Sequence, residues 1–279
     1  MKRERRDATG VMSPTVSVLT IAYNHGRFIE KCLRSVQTQT FHDWEQIIID
    51  DGSSDDTVQR VQPFLIDRRI RYVRQDHVGI GRLAESYNKA LGMAKGEYVA
   101  VLEGDDYYPR NKFEVQLPFF DSSTVLTWGL MKKVDAFGSL LEVFPKFDFS
   151  SIDDKKFRRM MLHGCYVPAV SVMCRRNVLV AAGGFSQGAC YVDYPTWLKL
   201  LPLGRFRFVK KVLGCWTIHG DNSSFVFRSV ARPDLDALEA YASWPESFRE
   251  DVGSLLRLRW YWKLLRMRQF LRRLIRDGW

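Results

Sequence analysis

Residues 96–108 read GEYVAVLEGDDYY, and this stretch decides the fold. Residues 98–102 are an apolar run of strand length, and it ends in Glu103, Asp105 and Asp106. Carboxylates packed this closely repel one another, so an offsetting cation is expected. A hard divalent ion carrying a phosphate-containing ligand is the natural choice, because such ions take oxygen ligands. A solvated acidic turn is the alternative for an isolated acidic run, and the surrounding sequence has to choose.

Upstream, Val16–Ala22 (VSVLTIA) and residues 45–49 (EQIII) are two further apolar runs of strand length, and residues 70–73 form a short one. Between them the period changes. Gly26–Gln37 places Phe28, Ile29, Cys32, Leu33 and Val36 on one helical face. Helices are also expected over 56–65, with Ser54 or Asp55 as cap, and over 80–94, stopped by Gly96. Strand–helix alternation of this kind predicts an α/β fold with a largely parallel sheet covered on both faces. In open parallel sheets ligands bind beyond the carboxyl ends of the strands. Tyr23 and Asn24, then Asp50 and Asp51, then the acidic cluster, all follow strands, so they should collect along one edge.

The second half is less regular. Strands are expected over 125–128, 170–174 and 206–216, short helices over 177–182 and 191–201, and helix from about 232 onward. The five cysteines are scattered without metal-site spacing and read as reduced thiols. No apolar run approaches the roughly 20 residues of a membrane span, and the basic start MKRERRD lacks a following apolar segment. A cytoplasmic location is therefore expected.

The formal charge is +10, concentrated in Arg257, Arg259, Lys263, Arg266, Arg268, Arg272 and Arg273 with no acid among them. Leu256, Trp260, Leu264, Met267, Phe270, Leu271 and Leu274 fall on one side of that helix, while Trp262 and Leu265 fall on the far side. A basic amphipathic helix with interfacial tryptophans suits the inner face of an anionic membrane. Docking on protein is the competing reading. No nucleic-acid motif accompanies the charge, so no nucleic-acid partner is expected.

The blocks VSVLTIAYN, IIIDDGSSDDT, AKGEYVAVLEGDDYY and GGF with YVDYPTWLKL, in this order and spacing, closely resemble the family 2 glycosyltransferases. The match covers roughly residues 15–225. The resemblance implies a GT-A (Rossmann-like) fold, here with a basic tail at 1–14, a catalytic domain at 15–228 and a helical extension at 229–279. It also implies an inverting enzyme, with Mn²⁺ or Mg²⁺, that moves a sugar from a nucleoside-diphosphate sugar to a glycan or lipid-linked acceptor. Cell-surface polysaccharide synthesis is the implied setting and UDP the common nucleotide.

Residue by residue, the resemblance makes Ala22 and Tyr23 neighbours of the nucleotide base and Asp51 its hydrogen-bonding acid, with Asp50 capping the turn. Arg82 matches a basic residue near the diphosphate or base, although an exposed surface arginine is an equal reading. Asp105 is assigned to the ribose and Asp106 to the metal. Asp193 matches the catalytic base, and His219 a loop histidine that approaches the metal or diphosphate. Many relatives have an acidic pair where this chain has Val192–Asp193, and Asp where it has Glu103. Asp221 and its neighbouring serines are placed to line the acceptor pocket. Two other readings compete: a sugar nucleotidyltransferase, which lacks its glycine-rich phosphate loop here, and an inactive membrane- or nucleic-acid-binding module.

Overall fold

The structure is a computed structural model and describes residues 13–188, 192–222, 232–252, 258 and 260–264. The first half is the expected alternation. Strands β1 (Val16–Ala22), β2 (Trp44–Asp50), β3 (Ile70–Arg74) and β4 (Tyr98–Glu103) are parallel, in the spatial order β3-β2-β1-β4. Every residue of β1 and β2 is buried, which a sheet covered on both faces requires. Side chains alternate between the faces. Leu19, Ile21, Ile47 and Ile49 pack on helix α3 (Leu83–Met93) through Ala84, Tyr87, Ala90 and Leu91. Val16, Val18, Ile48 and Leu102 pack on helix α1 (Gly26–Gln37) through Ile29, Leu33 and Val36. Each fully buried Ile or Leu contributes about 1.5–3 kcal/mol of burial, so truncating Ile48 to Ala is expected to cost about 2–5 kcal/mol.

The helix expected over 56–65 is shorter: α2 (Thr57–Val61) passes into a 3-10 turn at Pro63. Neither Ser54 nor Asp55 takes the cap position, which is Asp56 and makes no side-chain cap bond. Asp55, one residue earlier, accepts the Thr57 N–H at 3.0 Å while its other oxygen accepts Gly26 N–H at 2.9 Å. One carboxylate thus satisfies the starts of two helices.

Past β4 the sheet turns antiparallel. Following the short helix α4 (Lys112–Gln116) come β5 (Thr124–Asp135), β6 (Leu140–Phe144), helix α5 (Asp154–Met161) and β7 (Met173–Arg175). Then follow helices α6 (Arg176–Ala181) and α7 (Asp193–Leu200) and the long strand β8 (Arg205–Ile218). β7 lies antiparallel between β4 and β5, β6 is antiparallel on β5, and β8 runs parallel to β5. The strand expected over 125–128 is therefore three times its expected length. The run at 170–174 splits into a 3-10 turn and the three-residue β7.

The described part of the extension comprises helices α8 (Pro233–Ser243) and α9 (Glu246–Val252) and residues 258 and 260–264. Trp244 anchors it, 3% exposed, with its indole N–H on the Leu198 carbonyl at 3.1 Å. Further on, Trp262 is buried and donates to the Leu162 carbonyl at 3.1 Å, while Trp260 is 60% and Leu264 51% exposed. The side that interrupted the apolar stripe in the sequence is the side that docks. Arg257, Arg259 and Arg266–Arg273 lie outside the described residues, as do Leu256 and the apolar positions from Met267 onward. No helix among the described residues is long and apolar enough to cross a membrane.

Candidate active site

Where β1, β2 and β4 end, a cleft of about 460 Å³ opens. Tyr23 stands at its mouth, 41% exposed, with its ring stacked on His77 at 4.0 Å between centroids. Asn24 holds the turn that presents it. Its φ of 54° lies in the left-handed region that Asn tolerates, and its side-chain oxygen accepts the Ser54 N–H at 2.8 Å. Ala22 is fully buried, and its carbonyl accepts the Asp51 N–H at 2.8 Å.

Asp50 and Asp51 divide their work. Asp50 accepts the Ser53 N–H at 2.9 Å and the Tyr72 hydroxyl at 2.5 Å, closing the turn after β2. Asp51 lines the cleft and gathers the 75–79 loop. It accepts the N–H groups of Val78 and Gly79 at 3.0 Å each and the Gln75 amide at 2.8 Å. That loop carries His77 onto Tyr23. Arg82 lies outside the cleft lining, with its guanidinium donating to both Glu85 oxygens at 2.6 Å.

The three acids separate in space. Gly104 between them lets the chain pass close to its neighbours, since a Cβ there would come within 2.7 Å of His25 Nδ1 and 3.0 Å of the Ala22 Cβ. Glu103 accepts a hydrogen bond from the Tyr87 hydroxyl. Burial pushes its carboxyl up to about 8, with repulsion from Asp105 and Asp193 adding to the rise and Tyr87 opposing it. Asp106 also lines the cleft but is only 4% exposed, and it accepts the Thr217 N–H at 2.9 Å. Burial and the neighbouring Asp105 raise it well above the usual carboxylate range. Asp105 faces the cleft, where His219 Nε2 lies 3.0 Å and His25 Nε2 3.8 Å from its Oδ2. Burial works to raise Asp105, but the two imidazoles outweigh it and hold the group low.

His219 therefore meets Asp105 rather than Asp106, the acid to which the metal was assigned from the sequence. Asn222 fixes the arrangement: its side-chain oxygen accepts His219 N–H at 2.6 Å, and its amide donates to Asp105 at 3.2 Å. Among the described residues no three His, Cys, Asp or Glu side chains form a closed metal cage. An open pair still suits a hard ion that takes its remaining ligands from water and diphosphate. Asp105 and His219 are hydrogen-bonded to each other at 3.0 Å, and both would turn to an ion only by giving up that bond. His25 Nδ1 is buried with no hydrogen-bond partner.

Asp193 is the first residue of α7 and lines the same cleft. Burial raises its carboxyl to about 6, opposed by the N–H of Tyr194. Asp221 also lines the cleft, while Ser223 and Ser224 lie outside the described residues. The sequence reading missed His25, His77, Tyr87 and Asn222. The rule that ligands gather beyond strand ends could have found His77, which follows β3 in QDHVG, and His25, two residues after Tyr23.

Residues 17–163, over half of the chain, match the model of glycosyl transferase family 2. The chain is 29% identical over 227 residues to chondroitin synthase of Escherichia coli, a match covering 80% of this chain and 32% of that protein. It therefore spans about a third of that relative's length. Two solved structures share the fold. S. aureus TarS 1–349 in complex with UDP-GlcNAc has a TM-score of 0.67 at 18% identity, over 88% of this chain and 72% of that one. The mannosyltransferase PcManGT of Pyrobaculum calidifontis, in complex with GDP-Man and Mn²⁺, has a TM-score of 0.59 at 17% identity, over 87% and 69%.

Proposed function

This chain belongs to glycosyl transferase family 2, and we propose that it moves a sugar from a nucleoside-diphosphate sugar, UDP being the favoured nucleotide, to a hydroxyl of a glycan or lipid-linked acceptor, with inversion at the anomeric carbon. The observation that carries this reading is one cleft lined together by Tyr23, Asp51, Asp105 and Asp193. Similarity to a chondroitin synthase and the TarS–UDP-GlcNAc fold match support polysaccharide synthesis from a UDP-sugar.

In this reading the uracil stacks against Tyr23 and His77, and the loop gathered by Asp51 closes the base pocket. Asp105 and His219 hold the divalent ion, which moves the metal role from Asp106 to Asp105. Asp106 supports the site by satisfying Thr217. When bound, the ion offsets the charge that grows on the departing diphosphate. Asp193, with its carboxyl near 6, is ionised at neutral pH yet still basic enough to take a proton. It accepts the acceptor hydroxyl's proton as that oxygen bonds to the anomeric carbon and the bond to the diphosphate breaks. Glu103, raised to about 8, stays neutral at pH 7 and spares the cleft another negative charge. Arg82 would join the site only by leaving Glu85.

The extension adds a location. Trp262 docks the helix, leaving Trp260, Lys263 and Leu264 outward, an arrangement that fits peripheral contact with an anionic membrane while the active site stays in the cytoplasm.

Calorimetry of UDP with and without Mn²⁺, followed by nucleotide release from a panel of UDP-sugars, tests the reading. Metal-enhanced UDP binding and turnover of one donor are expected. No binding of any nucleoside diphosphate with metal present would favour an inactive binding module.

A further inference from the structure

The transfer reading leaves the end of the cleft away from Tyr23 without a stated occupant, and three strands give that end a chemistry of its own. Lys133 on β5 stands in register with Glu142 on β6 and with Trp216 on β8, and Met131 with Phe144. Alternation puts these side chains on one face of the sheet. Met131, Lys133, Phe144 and Trp216 all line the cleft. The Lys133 ammonium lies 5.4 Å from the Phe144 ring centroid and 5.6 Å from that of Trp216.

Charge singles out the same spot. Six carboxyl groups line the cleft (Asp51, Glu103, Asp105, Asp106, Asp193 and Asp221), and Lys133 is the one lysine or arginine among the described lining residues. Lys133 meets Glu142 at 2.9 Å, but Lys146 reaches that carboxylate as well, at 3.4 Å. Two ammonium groups on one carboxylate leave a net positive charge. In an otherwise acidic cleft, this is where an anion is attracted rather than repelled. The half-buried indole of Trp216 beside it offers an amphipathic aromatic surface on which the C–H face of a sugar ring can lie.

We propose that this end of the cleft is the acceptor subsite, and that it takes a saccharide bearing an anionic substituent, a carboxylate or a phosphate. The ring stacks on Trp216 and the charged substituent pairs with Lys133. The proposal rests on the transfer reading, since it assigns this part of the cleft to the acceptor.

The test uses the full chain with saturating UDP and Mn²⁺. Binding is followed by saturation-transfer NMR and calorimetry for three probes: a glucuronate-terminated oligosaccharide, its carboxyl-reduced neutral counterpart, and a glycosyl phosphate. At least one anionic probe is expected to bind, and the two anionic arms tell carboxylate from phosphate. Lys133→Met should weaken that probe by about tenfold or more, the loss of a charge-assisted hydrogen bond. Lys133→Arg should retain most of the affinity, and Trp216→Phe should weaken both charged and neutral probes. UDP affinity and melting temperature should stay close to wild type, and the neutral counterpart should not respond to Lys133→Met. Three results overturn the proposal: UDP binds but neither anionic probe does, Lys133→Met leaves anionic binding unchanged, or Lys133→Met weakens UDP as much as the probe, which would assign the lysine to the donor. A wild-type chain that bound no UDP would bring down the transfer reading itself, and this proposal with it.

Discussion

The two halves of the sheet are built to different rules. In β1–β4 the strands are parallel, the core strands are buried at every position, and Tyr23, Asp51 and Asp105 follow closely on strand ends. In β5–β8 the strands are mixed in direction, β6 exposes Leu140 and Leu141, and β5 shifts register against β8 at several points. The site residues of the first half, Tyr23, Asp51 and Asp105, come from one repeated geometry. Those of the second half, Asp193, Trp216 and His219, come from a helix start, the end of β8 and the residue just past it, so only the long strand's end repeats the pattern of the first half. Under the proposed function this becomes a division of labour: the regular half would present the donor's nucleotide and the irregular half would shape the chemistry and the acceptor end.

The sharpest way to break that division is Asp193→Asn. Transfer should fall by about 10²–10⁴-fold, the usual weight of a general base, while UDP affinity stays within about twofold by calorimetry. In the wild type, kcat/KM should rise with pH through about 6, because a base at Asp193 would work only when deprotonated and its carboxyl is raised to that value. A flat profile from pH 5 to 8 would remove it as the base.

The two neighbouring aspartates should separate next. Asp105→Ala is expected to abolish the Mn²⁺ enhancement of UDP binding, a loss of about tenfold or more. Asp106→Ala should instead act on stability, by about 1–3 kcal/mol, because it strands the buried Thr217 N–H. Equal loss of metal response in both variants would return the cation to Asp106.

A pH-dependent effect concerns Glu103. Its carboxyl sits near 8 in the fold against about 4.3 in an unfolded chain. Between those values the folded state keeps a proton that the unfolded state releases. Its contribution is therefore fully present below the lower value and is lost as pH rises through the upper one. Glu103→Gln does not titrate, so in EDTA its melting temperature should gain on wild type between pH 5 and 8.5. The smallest expected change is at the extension: Trp260→Ser with Leu264→Ser should reduce flotation with anionic liposomes without altering turnover of a soluble acceptor. Unchanged flotation would leave the outward face without a membrane role.

Legibility in the sequence follows the same boundary. Helix α1 begins and ends where its apolar face does, because Ile29, Cys32, Leu33 and Val36 keep a period near 3.6 over the whole element. The hairpin strand β6 escaped notice because LLEVF shows no clean alternation: its two leucines point to solvent and its register slips beside Val134. Helix α5 carried a readable signal, a cap by Asp153 on the Lys156 N–H at 2.8 Å with Phe157 and Met161 four apart. For Trp262, periodicity alone was misleading, since it can mark a face as apolar or mixed but cannot say which face meets protein.

The sequence by itself determined the α/β alternation, the edge where the acids gather and the acidic character of residues 103–106. These are local properties, set by side-chain period and by what can follow a strand. Only the tertiary structure decided which acid faces which partner. Asp105 meets His219 and Asp106 meets Thr217, more than a hundred residues away in the chain, while Tyr87 reaches Glu103 from another layer. Adjacent carboxylates are chemically identical in a sequence, and they acquire different protonation, exposure and roles only when packing buries one, opens another to the cleft and supplies each with its own hydrogen bond.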